Sequence, residues 1–301
     1  MGVWHAMARL AKEPPFRIFA RALLKGLPVS VRTRALWELS LRPAYLAGVL
    51  AAADQARRQG LDQISVIEFG VAAGNGLVAL QTDAEAIEAE IGVRVKVYGF
   101  DMGAGGLPAF AGDHRDHPDW WRPGDFPMNE ATLRTRLTDR TTLILGDVKD
   151  TVPEFFQRCH PPPIGFVSFD LDLYSSTRDA LRIFALPDRT MLWHVPLYFD
   201  DIDFLCNHKF AGELFAIDEF NAQTCDIKID RWYGVKEGRP FPERGFLDKL
   251  YVAHDLKAVS AVALNREIRE IPLPDRITEN RNRSKCQATA EEAKLNLFFI
   301  K

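Results

Sequence analysis

At 301 residues the chain is twice a typical domain of roughly 150, so one large domain or two small ones fit. Hydrophobic residues make up 47% and charged residues 26%, a globular composition that excludes disorder over most of the length. The formal charge of −3 argues against nucleic acid as a main partner, which would call for a basic excess.

The charge is uneven. Residues 1–60 carry ten Lys/Arg against three Asp/Glu, a net +7 that leaves −10 for the rest. Four cysteines (159, 206, 225 and 286) show neither paired zinc spacing nor a disulfide framework, which suits a reducing compartment. No apolar run approaches the ~20 residues that cross a bilayer. Lys12, Glu13 and two prolines interrupt any signal-peptide pattern, and Ala6 breaks a myristoylation signal. A cytoplasmic protein is expected.

In chain order, residues 16–27 (FRIFARALLKGL) have helical spacing, with Arg17, Arg21 and Lys25 four apart. A basic amphipathic helix can lie on a membrane. The alternative preferred here is a helix packed on the domain with its charges in water. A second helix is expected over Pro43–Gln59. Short strands and helices then alternate. Strands are expected at 64–70, 95–101, 142–147, 164–172 and 190–201, with late strands at 225–230 and 250–256. Helices are expected from the first turn to about Ile91, near Ser176–Phe184 and over about Phe210–Ala222. This alternation predicts the α/β class with a doubly wound, mostly parallel sheet.

Residues 102–140 have no clean period and read as a lid or substrate insertion. Residues 271–301 read as a tail. The expected organisation is an N-terminal helical extension (1–60), a ligand-binding domain (61–260) and that tail. The N-terminal helices would serve as a lid or a dimer contact, so a homo-oligomer is compatible with the chain.

Candidate chemistry begins where the first strand ends, at Glu68-Phe-Gly70-Val-Ala-Ala-Gly74-Asn75-Gly76. Glycine lets a backbone approach a ligand closely, and the carboxyl edge of an open α/β sheet is where ligands bind. The dinucleotide fingerprint fails because Ala72 and Asn75 occupy two of its glycine positions, and no phosphate loop follows. A nucleoside site remains. Asp101, at the tip of the second strand beside Met102, is placed to accept hydrogen bonds from ribose hydroxyls. Gly146 and Asp147, followed by Val148, could reach the base.

Asp170-Leu-Asp172 ends the fourth strand and Asp200-Asp201 ends the fifth. Carboxylates brought together repel one another unless a cation or proton intervenes. Four of them suggest a divalent metal, and all-oxygen ligation favours magnesium, manganese or calcium over zinc. The alternative is that Asp200 or Asp201 caps a helix and Asp172 faces solvent.

The runs "FDLDLYSST", "GDVKDTVPEFF", "FDD" and "AIDEF" resemble the metal-dependent sugar O-methyltransferases of the macrocin O-methyltransferase type. "EFGVAAGNG" is similar to the first motif of class I S-adenosylmethionine (SAM) methyltransferases. The likeness covers roughly residues 60–256. It implies a class I methyltransferase (Rossmann-like) fold, with a seven-stranded sheet whose last strand is reversed. It also implies SAM as cofactor, a metal, best magnesium, held by Asp170, Asp200 and Asp201, and Asp172 as general base. Glu68, Gly70, Gly74, Asn75, Gly76, Asp101, Met102, Asp147 and Val148 would form the cofactor site. Leu173 stands where some members of the family carry histidine. The acceptor would be a small-molecule hydroxyl, on a sugar or another vicinal diol.

Two other readings fit parts of the sequence. Asp170-x-Asp172 is also the D-x-D pattern of metal-dependent glycosyltransferases, which leaves the glycine turn unexplained. A non-catalytic SAM-binding or membrane-surface module would work through helix 16–27. Elsewhere, Asp113, His114, Asp116, His117 and Asp119 read as a solvated lid. Trp120 and Trp121 would stack on a substrate or anchor the loop, and His194 reads as a core histidine.

Overall fold

The computed structural model describes residues 16–110 and 112–262. A compact unit ends at Ser260; the unit that begins at Ala261 lies almost wholly outside the described residues, as does the expected tail with Cys286.

Seven strands form one sheet: β1 Gln63–Phe69, β2 Arg94–Asp101, β3 Thr141–Leu145, β4 Ile164–Phe169, β5 His194–Phe199, β6 Ile227–Arg231 and β7 Leu250–Asp255. Their order is β3-β2-β1-β4-β5-β7-β6. The first five run parallel, and β7 pairs antiparallel with both β5 and β6. This is the class I methyltransferase arrangement expected from the sequence. The central strands are legible because both faces are covered, so each reads as a nearly continuous apolar run.

One face of the sheet carries a row of rings near the carboxyl ends. Phe69 is in register with Phe100 and Phe169, and Phe169 with Phe199. All four are fully buried, and Phe169 stacks on Phe199 at 4.7 Å and 7°. Because side chains alternate, Phe166 and Tyr198 face the other way. There they meet Tyr45 of α3 (Pro43–Arg58), with α1 (Phe16–Lys25) and α2 (Val31–Leu36) before it.

Helix α3 belongs to the core. Ten of its sixteen residues are buried, and it packs on β1, β4, β5 and α4 (Asn75–Ile91). Gly48 meets the Phe166 ring so closely that a Cβ would lie 2.4 Å from it. The expected boundary at residue 60 therefore does not separate two parts, and a chain lacking residues 1–60 would expose the side of β1, β4 and β5 that α3 covers.

Helix α1 reverses the expected orientation. Arg17 and Arg21 face inward, 3.9 and 3.8 Å from the buried carboxylate of Glu38, while Ile18, Phe19, Leu23 and Leu27 are exposed. Amphipathicity shows that a helix has two faces; the position of Glu38 decides which one turns in. No helix among the described residues is long and apolar enough to cross a membrane.

The remaining helices are α5 (Glu130–Arg134), α6 (Val148–Cys159), α7 (Tyr174–Leu181), α8 (Gly212–Gln223) and α9 (Leu256–Ser260). Helix α6 lacks a counterpart in the sequence reading, because Pro153 interrupts its pattern. Three strands end more than one residue earlier than expected: β3 at Leu145, β4 at Phe169 and β5 at Phe199. The aspartates that follow β4 and β5 therefore sit on loops beyond the sheet edge. Residues 190–193 are not strand either, with Met191 making only an isolated bridge to Ile164.

A buried carboxyl on α4 gives a pH test of this packing. Asp83 accepts a hydrogen bond from Ser40 Oγ at 2.6 Å, with Arg34 at 3.4 Å, and burial pushes its pKa up to about 6. A carboxyl raised in the folded state favours its neutral form, so folding loses stability as pH rises from about 4 through about 6. Asp83→Asn removes that titration. Over this range the wild type should lose about 2–3 kcal/mol relative to the variant, read from urea midpoints. Parallel pH profiles would contradict the burial of a titrating group here.

Candidate active site

The carboxyl ends of β1 to β4 and the loops after them build the site. Gly70 leaves β1 with φ +83°, where a Cβ would lie 1.7 Å from the carbonyl oxygen of Asp170. A Cβ on Gly76 would lie 1.6 Å from Glu68 Oε1. Both positions thus require glycine because the chain's own atoms fill the space of a side chain. Glu68 is buried beneath the turn and accepts from the Tyr45 hydroxyl at 2.9 Å, while its Oε2 has no partner. Burial, then the nearby Asp170, push its pKa up to about 8.

Asp101 ends β2 as expected, but its carboxylate already grips the backbone. Oδ2 accepts from the amides of Val71 and Ala72 at 2.8 and 2.9 Å, and Oδ1 from Gly103 at 2.6 Å. It fastens the glycine turn to the start of the insertion. Asp147 caps α6, accepting from Lys149 N at 3.0 Å. Asn75 holds Arg136 at 3.0 Å.

A cavity of about 260 Å³ joins these features. Glu68, Gly70, Asn75 and Gly76 line it from the first turn, Asp101, Met102, Asp147 and Val148 from β2 and β3, and Asp170 and Asp172 from β4. Gly74, Asp200 and Asp201 are not in its wall. Gly74 instead packs under α5, where a Cβ would lie 2.0 Å from Leu133.

Behind Asp170 lies a cluster of carboxyls. Burial first, then Asp200 and Asp201, raise Asp170 to about 7. Burial and Asp170 raise Asp172 to about 7, and burial and Asp172 raise Asp201 to about 8. Glu213, at the start of α8, is fully buried and pushed well above the usual carboxylate range. It accepts from Asp201 N at 2.9 Å, and its Oε1 has no partner.

An all-oxygen set that crowds its own charge and leaves a buried carboxyl oxygen unpaired fits a hard divalent cation in donor chemistry. The side chains are nevertheless engaged elsewhere. Asp200 accepts from the Tyr198 hydroxyl at 2.6 Å and faces Lys249 at 3.5 Å, and Asp201 accepts from Asp172 N at 3.2 Å. Among the described residues no three acidic, histidine or cysteine side chains converge as a ready ligand group.

The segment 113–119 is solvated only in part: His114 and Asp119 are exposed as expected. Asp116 and His117 are buried, and Asp116 Oδ1 accepts from Ser175 N at 2.7 Å, holding the first turn of α7. Arg115 stacks on the Tyr174 ring at 4.7 Å. Trp120 and Trp121 pack against Phe204, at 5.2 and 5.9 Å, outside the cavity wall. Asp125 and Phe126 complete the wall instead. His194 is exposed, not core: it opens β5 and faces His254 with its Nδ1 2.9 Å from the partner Nδ1.

Sequence reasoning missed Arg42, Glu213, Asp125 and Phe126. Arg42 and Glu213 stand next to helix starts without any periodic signal. The insertion residues sit in a segment with no pattern at all.

No protein-family model and no curated protein matches the chain. Solved structures do. CalS11, a calicheamicin methyltransferase, is 23% identical, with 69% of this chain and 85% of that one covered, at a TM-score of 0.42. The O-methyltransferase NovP is 20% identical over 58% and 69% of the two chains, with a TM-score of 0.44. MycE methyltransferase in complex with Mg, SAH and mycinamycin VI is 15% identical over 50% of this chain and 33% of that one, at 0.31. At these values the fold rests on the strand order described above.

Proposed function

We propose that the chain is a SAM-dependent O-methyltransferase acting on a hydroxyl of a small molecule, sugar-like or another vicinal diol. One observation carries this reading: a single cavity runs from the glycine turn, Asp101 and Asp147 to Asp170 and Asp172. A nucleoside end and an acidic end in one chamber suit transfer from a nucleoside cofactor to an acceptor that must lose a proton.

The glycine turn would take the nucleoside, with Asp101 and Asp147 toward ribose and base. Asp172 would take the acceptor proton as general base, and the cavity walls would hold the hydroxyl in line. Asp200 and Asp201 would have to leave their present partners to join Asp170 around a divalent cation, magnesium being the best match. When bound, SAM supplies a methyl group already activated as a sulfonium, and the cation lowers the pKa of the acceptor hydroxyl. We place the protein in the cytoplasm, where the three free cysteines among the described residues would stay reduced.

The test is calorimetry with S-adenosylhomocysteine (SAH), followed by transfer of labelled methyl from SAM to a panel of diols. SAH should bind, EDTA should stop turnover, and magnesium or manganese should restore it. Turnover indifferent to EDTA would remove the metal. Absence of SAH binding together with tight UDP-sugar binding would favour the glycosyltransferase reading.

A further inference from the structure

The cavity wall carries six carboxyl groups and a single cation among the described residues, the guanidinium of Arg42. Arg42 comes from outside the parallel strands, as the residue that caps the N-terminus of α3. Its Cζ lies 5.5 Å from the Tyr45 ring centroid, and Tyr45 in turn donates to Glu68. Its side chain makes no hydrogen bond or ion pair among the described residues. A half-buried arginine is thus held over an aromatic face with its donors uncommitted, a preorganised state for binding an anion.

The sheet order says which anion. On the reading proposed above, the base lies toward β3 and the ribose at β2 beside the glycine turn, so in the order β3-β2-β1-β4 the ligand's far end continues past the turn toward β4. That end of SAM is an amino acid, with an ammonium and a carboxylate. The ammonium finds acceptors in abundance there, Glu68 and Asp170 among them. The carboxylate enters a chamber lined with carboxyls, where a cation offsets the repulsion and the loss of water. Arginine meets a carboxylate through two parallel N–H···O bonds, which fixes orientation as well as charge.

We propose that Arg42 binds the α-carboxylate of the methionyl end of SAM, making the segment before α3 part of the cofactor site. This rests on the methyltransferase reading. It gives the N-terminal region a binding role in addition to its packing. It also explains how a chamber lined with carboxyls would accept a ligand that carries one.

Two ligands separate the possibilities. SAH has the amino-acid end, whereas 5′-methylthioadenosine keeps the nucleoside and thioether and lacks it. By calorimetry on the full chain, Arg42→Gln should weaken SAH by ~10–100-fold, the range of a charge-assisted pair. Methylthioadenosine should change by less than about 2-fold, and Arg42→Lys should recover part of the SAH loss. Equal losses for both ligands would mean that Arg42 only supports the fold, and would overturn the proposal. Unchanged SAH binding with a raised acceptor KM would also overturn it, by placing Arg42 at the acceptor. If the wild type binds neither ligand, the methyltransferase reading falls first and this inference with it. If wild-type SAH binds and only the variant pattern fails, the reading stands and the inference alone is lost.

Discussion

Asp172→Asn is expected to slow methyl transfer by roughly 10²–10⁴ while SAH still binds, the usual contribution of a general base. Asp172 lines the cavity beside Asp170, with 7% of its surface exposed. Its backbone adopts φ +62°, a left-handed conformation that asparagine tolerates about as well as aspartate. Its amide donates to Asp201 Oδ2 at 3.2 Å, a bond the substitution leaves in place. The change therefore removes basicity and keeps shape. Single-turnover transfer with saturating SAM reads the chemical step, and calorimetry with SAH checks the site. A variant as fast as the wild type would show that the acceptor proton leaves by another route.

Gly70→Ala should destabilise the fold by about 3 kcal/mol or more, because it combines backbone strain with a clash that has no outlet. The new Cβ would meet the Asp170 carbonyl oxygen 1.7 Å away. Neither partner can retreat: Gly70 N donates to Phe100 O, and Asp170 N donates to Phe69 O, both at 2.9 Å. Gly92 supplies the matched control. It has nearly the same φ, +80° against +83°, with nothing within 4 Å of its Cβ position. Gly92→Ala should cost only the strain, about 1–2 kcal/mol. Urea midpoints for the two variants would decide the matter. Equal losses would mean that the close approach of β1 to β4 contributes nothing.

How much of this was legible in the sequence depended on how local each cause is. The five parallel strands announce themselves because burial on both faces leaves long apolar runs, and the glycine turn does so because its glycines cluster. Pro153 hides helix α6, and the ends of β4 and β5 have no mark in the sequence, since the aspartates follow apolar runs without a break. The expectation for Asp101 named its position and missed its backbone partners, which depend on how the insertion folds back. Arg42 and Glu213 reach the site through packing between distant segments, which no spacing rule encodes. The inward face of α1 likewise required knowing where Glu38 lies.

The row of rings across the sheet has a mechanical consequence. Each of its four phenylalanines is followed directly by a residue of the cavity or of the acidic cluster: Phe100 by Asp101, Phe69 by Gly70, Phe169 by Asp170 and Phe199 by Asp200. The rings act as a common datum line from which four segments of chemistry are levelled, each one peptide bond away. A ring trimmed anywhere along that line tilts its neighbour's reference as well as its own. Loops beyond the edge can therefore vary while the datum holds, whereas an error in the hydrophobic interior shifts the residues that line the cavity.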